Sequence, residues 1–338
     1  MAKPVLNDPR FFSEEAAFAY VEAQIWPEGP VCPHCGSMAE KIGRLEGVRS
    51  KPSKKHPEGV VQVGLRKCYA CRGPAFTVRK GTIFEDSHLP LRVWLQAIHL
   101  LCASKKGMST RQIQRMLNCG LKTAWHLTHR IREIMAECGP LPPLGGEGQV
   151  IESDETYWGP KDVETHPEMQ RRRRGKPGPG GKARIMTLVE RGGRARSVHV
   201  ADLTNETMQG VLLANADTES RLVTDEGTAP SIGLRFARHD TVKHGAKEYA
   251  HYLDEDGEKF TVTTNTVEGF FSVFKRGMRG TYQHCKENHL HRYVSEFDFR
   301  YNNRAKLGVN DVQRERIAVK AAKGKRLTYQ TTHSGTEA

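Results

Sequence analysis

The chain has 338 residues, 37% of them hydrophobic and 27% charged, which is long enough for two or three domains that each bury an apolar core without disulfides. No run of eighteen apolar residues occurs, and no short apolar segment follows a positive start at Met1, so a membrane helix and an export signal are excluded and a soluble, cytoplasmic, nucleoid-associated protein is expected. Lys and Arg outnumber Asp and Glu by 52 to 39, a formal charge of +13, which suits a polyanionic partner and argues against a small neutral ligand as the main contact.

The first element in chain order is a helix. Ser13 precedes Glu14, Glu15 and an alanine-rich stretch with Phe18, Val21 and Ile25, and Pro27 stops it. From Gly29 to Asp86 the pattern is loops and short strands, with GVVQVGLRKC alternating like a hairpin arm toward Cys68. Pro90 then opens a helix with Val93, Trp94, Ala97, Ile98, Leu101 and Cys102 at helical spacing. A second helix starts near Ser109, turns at Asn118, Cys119 and Gly120, and yields to a longer one from Lys122 carrying Ala124, Leu127, Ile131 and Met135. Helix, glycine turn, helix is the outline of a two-helix DNA reader, with Lys122 and Arg130 as its candidate contacts.

A Pro/Gly linker at Gly139–Gly148 marks a boundary. Strands are expected at Val150–Thr156, Arg184–Val189, Arg196–Val200 and Arg221–Thr224, with a helix at Glu206–Ala214 between the last two. Further helices are expected at Asn265–Met278 and Asn288–Tyr301, and the tail beyond about Thr328 has almost nothing to bury and is expected to be disordered. The division is therefore an N-terminal helix (1–27), a small module (28–87), a helical region (88–138), a linker (139–149), a strand-first α/β domain (150–303) and an extension (304–338). Basic residues gather at Arg111 to Arg115, at Arg130 and Arg132, in the run Arg171, Arg172, Arg173 and Arg174, and around Lys275, Arg276 and Arg279, a nucleic-acid footprint in several pieces.

Eight cysteines divide into two sets. Cys32 and Cys35 in CPHCG and Cys68 and Cys71 in CYACRG form two tight knuckles, and four thiolates make a closed tetrahedral zinc site that folds a module too small to fold alone. A redox pair or coincidence is the rival reading. His34 lies inside the first knuckle and is expected to point outward as a bystander. Cys102, Cys119, Cys138 and Cys285 sit in apolar surroundings and are expected to pack as small core residues.

In VIESDETYWG, alternation puts Glu152, Asp154 and Thr156 on one strand face with Glu155 opposite. Asp225 ends the apolar run of RLVTDEG. On spacing alone either aspartate also fits a turn or cap. In TNTVEGFFSVFKRGMRGTY, helical spacing sends Val267, Phe270, Phe271, Phe274 and Met278 to a core and leaves Glu268, Ser272, Lys275 and Arg279 as a polar stripe. Glu268 and Lys275 share a face, so a metal-binding carboxylate can lie beside a cation that holds a phosphate. Asn265, three residues before Glu268, also fits a capping box. Phosphodiester chemistry needs charge neutralised on phosphorus and on the attacking and leaving oxygens, which two divalent ions held by carboxylates supply.

These motifs, together with HLHRYVSEFDFRYNNR, resemble the DDE transposases of bacterial insertion sequences, in the subgroup with an N-terminal zinc ribbon, over most of the chain. The resemblance implies a multidomain protein with a zinc ribbon, a helix-turn-helix region and an α/β RNase H-like catalytic domain with a mixed sheet. It implies Asp154, Asp225 and Glu268 as ligands of two Mg²⁺ or Mn²⁺ ions, Lys275 as the basic residue that follows, and structural Zn²⁺ on the four cysteines. Asn265 is a rival third ligand, because some relatives carry asparagine there, and His244 matches a position near the scissile phosphate. The Arg171–Arg174 run with its GKPGPGGK continuation is expected to be a basic loop touching DNA. The implied reaction is water attack at the element end followed by attack of the freed 3′ hydroxyl on target DNA. The implied partners are the terminal inverted repeats, target DNA and further copies of the chain. A non-catalytic zinc-ribbon and helix-turn-helix DNA binder from a decayed element, and a nuclease without strand transfer, are the alternatives.

Overall fold

The structure, a computed structural model, describes residues 4–54, 56–137, 139–159, 182–225, 234–246, 249–255 and 257–328. Arg171 to Arg174 with GKPGPGGK, Cys138 and the tail from 329 lie outside the described residues. The chain divides into two compact units, Met1–Met135 with Val309–Ala338, and Ala136–Gly308.

The first unit begins with α1 (Glu14–Ile25), where the Ser13 hydroxyl accepts from the Ala16 amide and Ala17, Phe18, Val21 and Ile25 are buried. In the small module, β1 (Ile42–Arg44) pairs antiparallel with β2 (Arg66–Cys68). The expected hairpin arm is shorter than GVVQVGLRKC. Val60 and Val61 are 48% and 46% exposed, because no second layer covers them and alternation there has nothing to bury. Helices α2 (Leu91–Ala103), α3 (Thr110–Leu117) and α4 (Leu121–Met135) follow. Ser109 caps α3, and the turn into α4 passes through Asn118 at φ +47°, a left-handed conformation that asparagine tolerates better than most residues.

The second unit is built on a five-stranded sheet of order β5-β4-β3-β6-β7. Its strands are β3 (Val150–Trp158), β4 (Ala183–Glu190), β5 (Ala195–Val200), β6 (Arg221–Asp225) and β7 (Arg238–Val242). The β3–β4 and β4–β5 pairs are antiparallel, and β6 lies parallel to both β3 and β7. Helix α5 (Asn205–Asn215) sets Met208 and Leu212 against Ile151, Met186, Leu188 and Leu222. On the other face, Ile185 and Val189 meet α6 (Asn265–Gly277) and α7 (Glu287–Asn302) through Val267, Phe270, Phe271, Phe274 and Phe297. The two-residue alternation along β4 feeds both cores. A separate hairpin, β8 (Ala250–Glu255) with β9 (Glu258–Thr263), leads directly into α6.

After Gly308 the chain returns to the first unit. Asn310 and Gln313 form a capping box on α8 (Asp311–Lys320). Glu315 on α8 is fully buried, accepts from Arg10 Nε and Nη2 at 3.2 Å each, and lies 2.9 Å from His99 Nδ1.

Candidate functional site

The sulfurs of Cys32, Cys35, Cys68 and Cys71 all lie within 4.8 Å of one another. Cys32 Sγ is 3.8 Å from Cys71 Sγ, and Cys35 Sγ is 3.7 Å from Cys68 Sγ. Four sulfurs about 2.3 Å from a central zinc ion stand about 3.8 Å apart along the tetrahedron edges, so the donor set fits Zn²⁺ with no position left for water. Cys32, Cys68 and Phe76 make the small core of this module, with Trp26 and Ile42 packed against it. His34 is exposed and meets the edge of Phe76, outside the four-sulfur set. Cys102 and Cys285 are buried and Cys119 is half-buried.

In the second unit one carboxylate oxygen from each of Asp154, Glu155 and Asp225 also lies within 4.8 Å of the other two. Parallel pairing of β3 with β6 sets Asp225, the last residue of β6, near Asp154. The inclusion of Glu155 corrects the expectation that alternation points it away. Pairing of β3 with β6 stops at Glu152 with Val223, and just beyond it a Glu155 carboxylate oxygen lies within 4.8 Å of those of the two aspartates. Burial, reinforced by the neighbouring carboxylates, raises Asp154 to about 6 and Glu155 to about 7. A metal cation would relieve that repulsion, and three oxygen donors of this kind suit a hard divalent ion.

Glu268 stands on α6 near enough for its charge to raise Asp154, while Lys275, nearly two turns further on, lowers it. The Glu268 side chain is 43% exposed. Its Oε1 accepts from Thr264 Oγ1 at 3.1 Å and lies 3.4 Å from His244 Nε2. His244 Nε2 is 3.1 Å from Thr264 Oγ1, whose hydrogen is already given to Glu268, so the histidine donates there. The capping-box reading fails, since the N-cap of α6 is Thr264 and Asn265 is its first helical residue, exposed to solvent. Lys275 is half-buried, with Nζ 5.7 Å from the centre of the Phe271 ring.

The candidate DNA contacts separate by exposure. Lys122 is exposed on the first turn of α4, Arg111 and Arg115 are exposed on α3, and Arg276 and Arg279 are also exposed. Arg130 is a correction. It is 6% exposed, its Nη2 donates to the carbonyl oxygens of Ile83 and Glu85, and its guanidinium lies 5.1 Å from the Trp94 ring centre. Helix α4 is buried from Leu127 to Arg132, so an arginine there braces the unit from inside and does not face a groove.

Arg191 lies outside every motif of the sequence, and strand alternation gives Glu152 a face but no role. Glu152 is fully buried and paired with Arg191 Nε at 2.7 Å. A glutamate two residues before Asp154 on the same strand face, directly after the apolar Val150 and Ile151, was the available signal.

Residues 143–302 match the model of the ISXO2-like transposase domain, and residues 12–73 match that of the transposase zinc-ribbon domain. The chain is similar to a protein of the transposable element ISH50 of Halobacterium salinarum, with 26% identity over 302 residues, 86% of this chain and 91% of that protein. Among solved structures, a chain of the simian T-cell lymphotropic virus intasome in complex with PP2A regulatory subunit B56 gamma is similar over 55% of this chain and 67% of its own length, at 14% identity and a TM-score of 0.27. Among the described residues no helix is long and apolar enough to cross a membrane.

Proposed function

We propose, from its match to a transposase zinc-ribbon domain and an ISXO2-like transposase domain, that the chain is an insertion-sequence transposase that cleaves the ends of its element and transfers them to target DNA. The observation that carries this reading is the convergence of Asp154 and Asp225 on adjacent parallel strands, within the electrostatic reach of Glu268 and Lys275. The mixed sheet, three antiparallel strands followed by two added in parallel, supports an RNase H-like domain.

Asp154, Asp225 and Glu268 are the proposed ligands, with Glu155 adjoining them. Two Mg²⁺ or Mn²⁺ ions held there would neutralise charge on the reacting phosphate and on its attacking and leaving oxygens. Lys275 points along the same helical face as Glu268 and would hold a nonbridging phosphate oxygen. His244, tied to Glu268 through Thr264, would orient that carboxylate. Hydrolysis breaks the bond between phosphorus and the 3′ oxygen and frees a 3′ hydroxyl, and transesterification then joins that hydroxyl to a target phosphate while the target strand's own 3′ oxygen leaves that phosphorus as a hydroxyl. The exposed first turn of α4, with Lys122, and the arginines of α3 form the proposed groove reader. Pairing two element ends calls for at least two copies of the chain.

The test uses purified full-length protein, labelled element ends and Mg²⁺. Strand cleavage and joined products that vanish in Asp154→Ala are expected. Binding of the ends without any cleavage would leave a non-catalytic DNA-binding protein, and cleavage without joining a nuclease.

A further inference from the structure

The helix that carries Glu268 has no cap of its own, because the side chain of Thr264, its N-cap residue, accepts no hydrogen bond from the first turn. The exposed amides of a helix start need acceptors. They find one 114 residues away, where Glu152 Oε2 accepts from the amides of Thr266 at 2.7 Å and Val267 at 3.1 Å, and Oε1 accepts from Thr266 Oγ1 at 2.8 Å. A buried carboxylate at a helix N-terminus is favoured further by the helix dipole.

Arg191, just after β4, extends the same clamp. Its Nε donates to Glu152 Oε1, while Nη1 and Nη2 donate to the carbonyl oxygens of Thr261 at 2.8 Å and Thr263 at 2.9 Å. The segment from Thr261 to Val267 is therefore gripped on both sides of Thr264, the residue whose hydroxyl meets both Glu268 and His244.

We infer that Glu152 and Arg191 are positioning residues, which lock the end of β9 and the start of α6 to β3 so that Glu268 is held at a fixed separation from Asp154. The inference rests on the reading of Glu268 as a metal ligand. A carboxylate on a helix start is a mobile ligand unless that start is anchored, and removing such a support weakens metal binding about 10- to 100-fold.

The experiment compares wild type, Glu152→Gln, Glu268→Gln and the double variant. Three quantities are read on full-length protein: amide hydrogen exchange over residues 264–270, Mn²⁺ binding by electron paramagnetic resonance, and cleavage of element ends as a function of Mn²⁺ concentration. In Glu152→Gln, exchange over 264–270 should speed up while that of β4 and β5 stays unchanged. The Mn²⁺ concentration for half-maximal cleavage should rise about tenfold, with much of the maximal rate recovered at saturation. Adding Glu152→Gln to Glu268→Gln should produce little further loss of Mn²⁺ affinity beyond Glu268→Gln alone. Unchanged exchange, or independent and additive losses of affinity, would overturn the inference. Should Glu152→Gln fail to fold, Thr266→Val removes a single donor to the same carboxylate and is expected to move exchange and Mn²⁺ dependence in the same direction, and no movement would overturn it. A wild type that shows the protected helix start yet neither binds Mn²⁺ nor cuts DNA would defeat the functional reading while leaving the clamp in place.

Discussion

Asp154 and Glu155 are held where their charges are costly, and that cost predicts behaviour at single residues. With their carboxyls raised to about 6 and about 7, the fold without metal favours the protonated forms. Each penalty grows as pH rises through its raised value and is absent below the ordinary carboxylate range. Asp154→Asn should therefore abolish cleavage while leaving the metal-free thermal midpoint equal or higher, as differential scanning calorimetry at pH 8 would report. A divalent ion must displace those protons, so Mn²⁺ affinity measured by titration calorimetry should fall as pH is lowered from 8 toward 5.5, and flat affinity across that window would contradict the assignment. Asp154 was legible in the sequence because VIESDETYWG alternates as a strand, and Asp225 because it ends an apolar run just before a glycine turn. Glu155 was not, since alternation describes Cβ directions and says nothing of where the end of a long side chain goes.

Among the elements, the zinc knuckles and α4 carry opposite lessons. Two CxxC motifs define their chemistry wherever the loops run, and the four sulfurs meet as zinc requires. Cys32→Ser or Cys68→Ser should release the metal, read by atomic absorption, and loosen the module around Phe76 while the sheet of the second unit keeps its own melting transition. Helix α4 shows how a basic residue can mislead. Periodicity located the helix, yet which of its faces is covered depends on Ile83, Glu85 and Trp94, residues distant in sequence that no helical pattern reveals. Arg130→Ala should destabilise the first unit by leaving two carbonyls without their donor. Lys122→Ala should instead weaken DNA binding and flatten its salt dependence by about one counterion, as fluorescence anisotropy at several salt concentrations would register. Strands β3 to β6 and helix α6 were readable from apolar patterning. β7 was not, since RHDTV carries one large apolar residue, and the β8–β9 hairpin has charges on a third of its strand residues and gains its place through Leu253, Phe260 and Val262 packing beside Val223 and Val242.

For the whole molecule, the decisive feature is the return of the chain after Gly308. Glu315 holds Arg10 and His99 together inside the first unit, and removing one member of a buried ion pair costs about 3–5 kcal/mol. Glu315→Ala should therefore lower the melting transition of the first unit while leaving that of the second nearly unchanged, which calorimetry resolves as two peaks moving independently. The sequence marked the extension by its position alone, because a short helix with few apolar residues does not announce which earlier segment it completes.

The first unit is thus completed only after the second during synthesis, although most of it is made earlier. A ribosome has already released the whole carboxylate-bearing sheet by the time it translates Asp311, while the segment that holds the zinc and the α3–α4 turn still waits for its final helix. A message cut short near codon 308 would yield a chain with every proposed acidic ligand present and a first unit left without its closing helix.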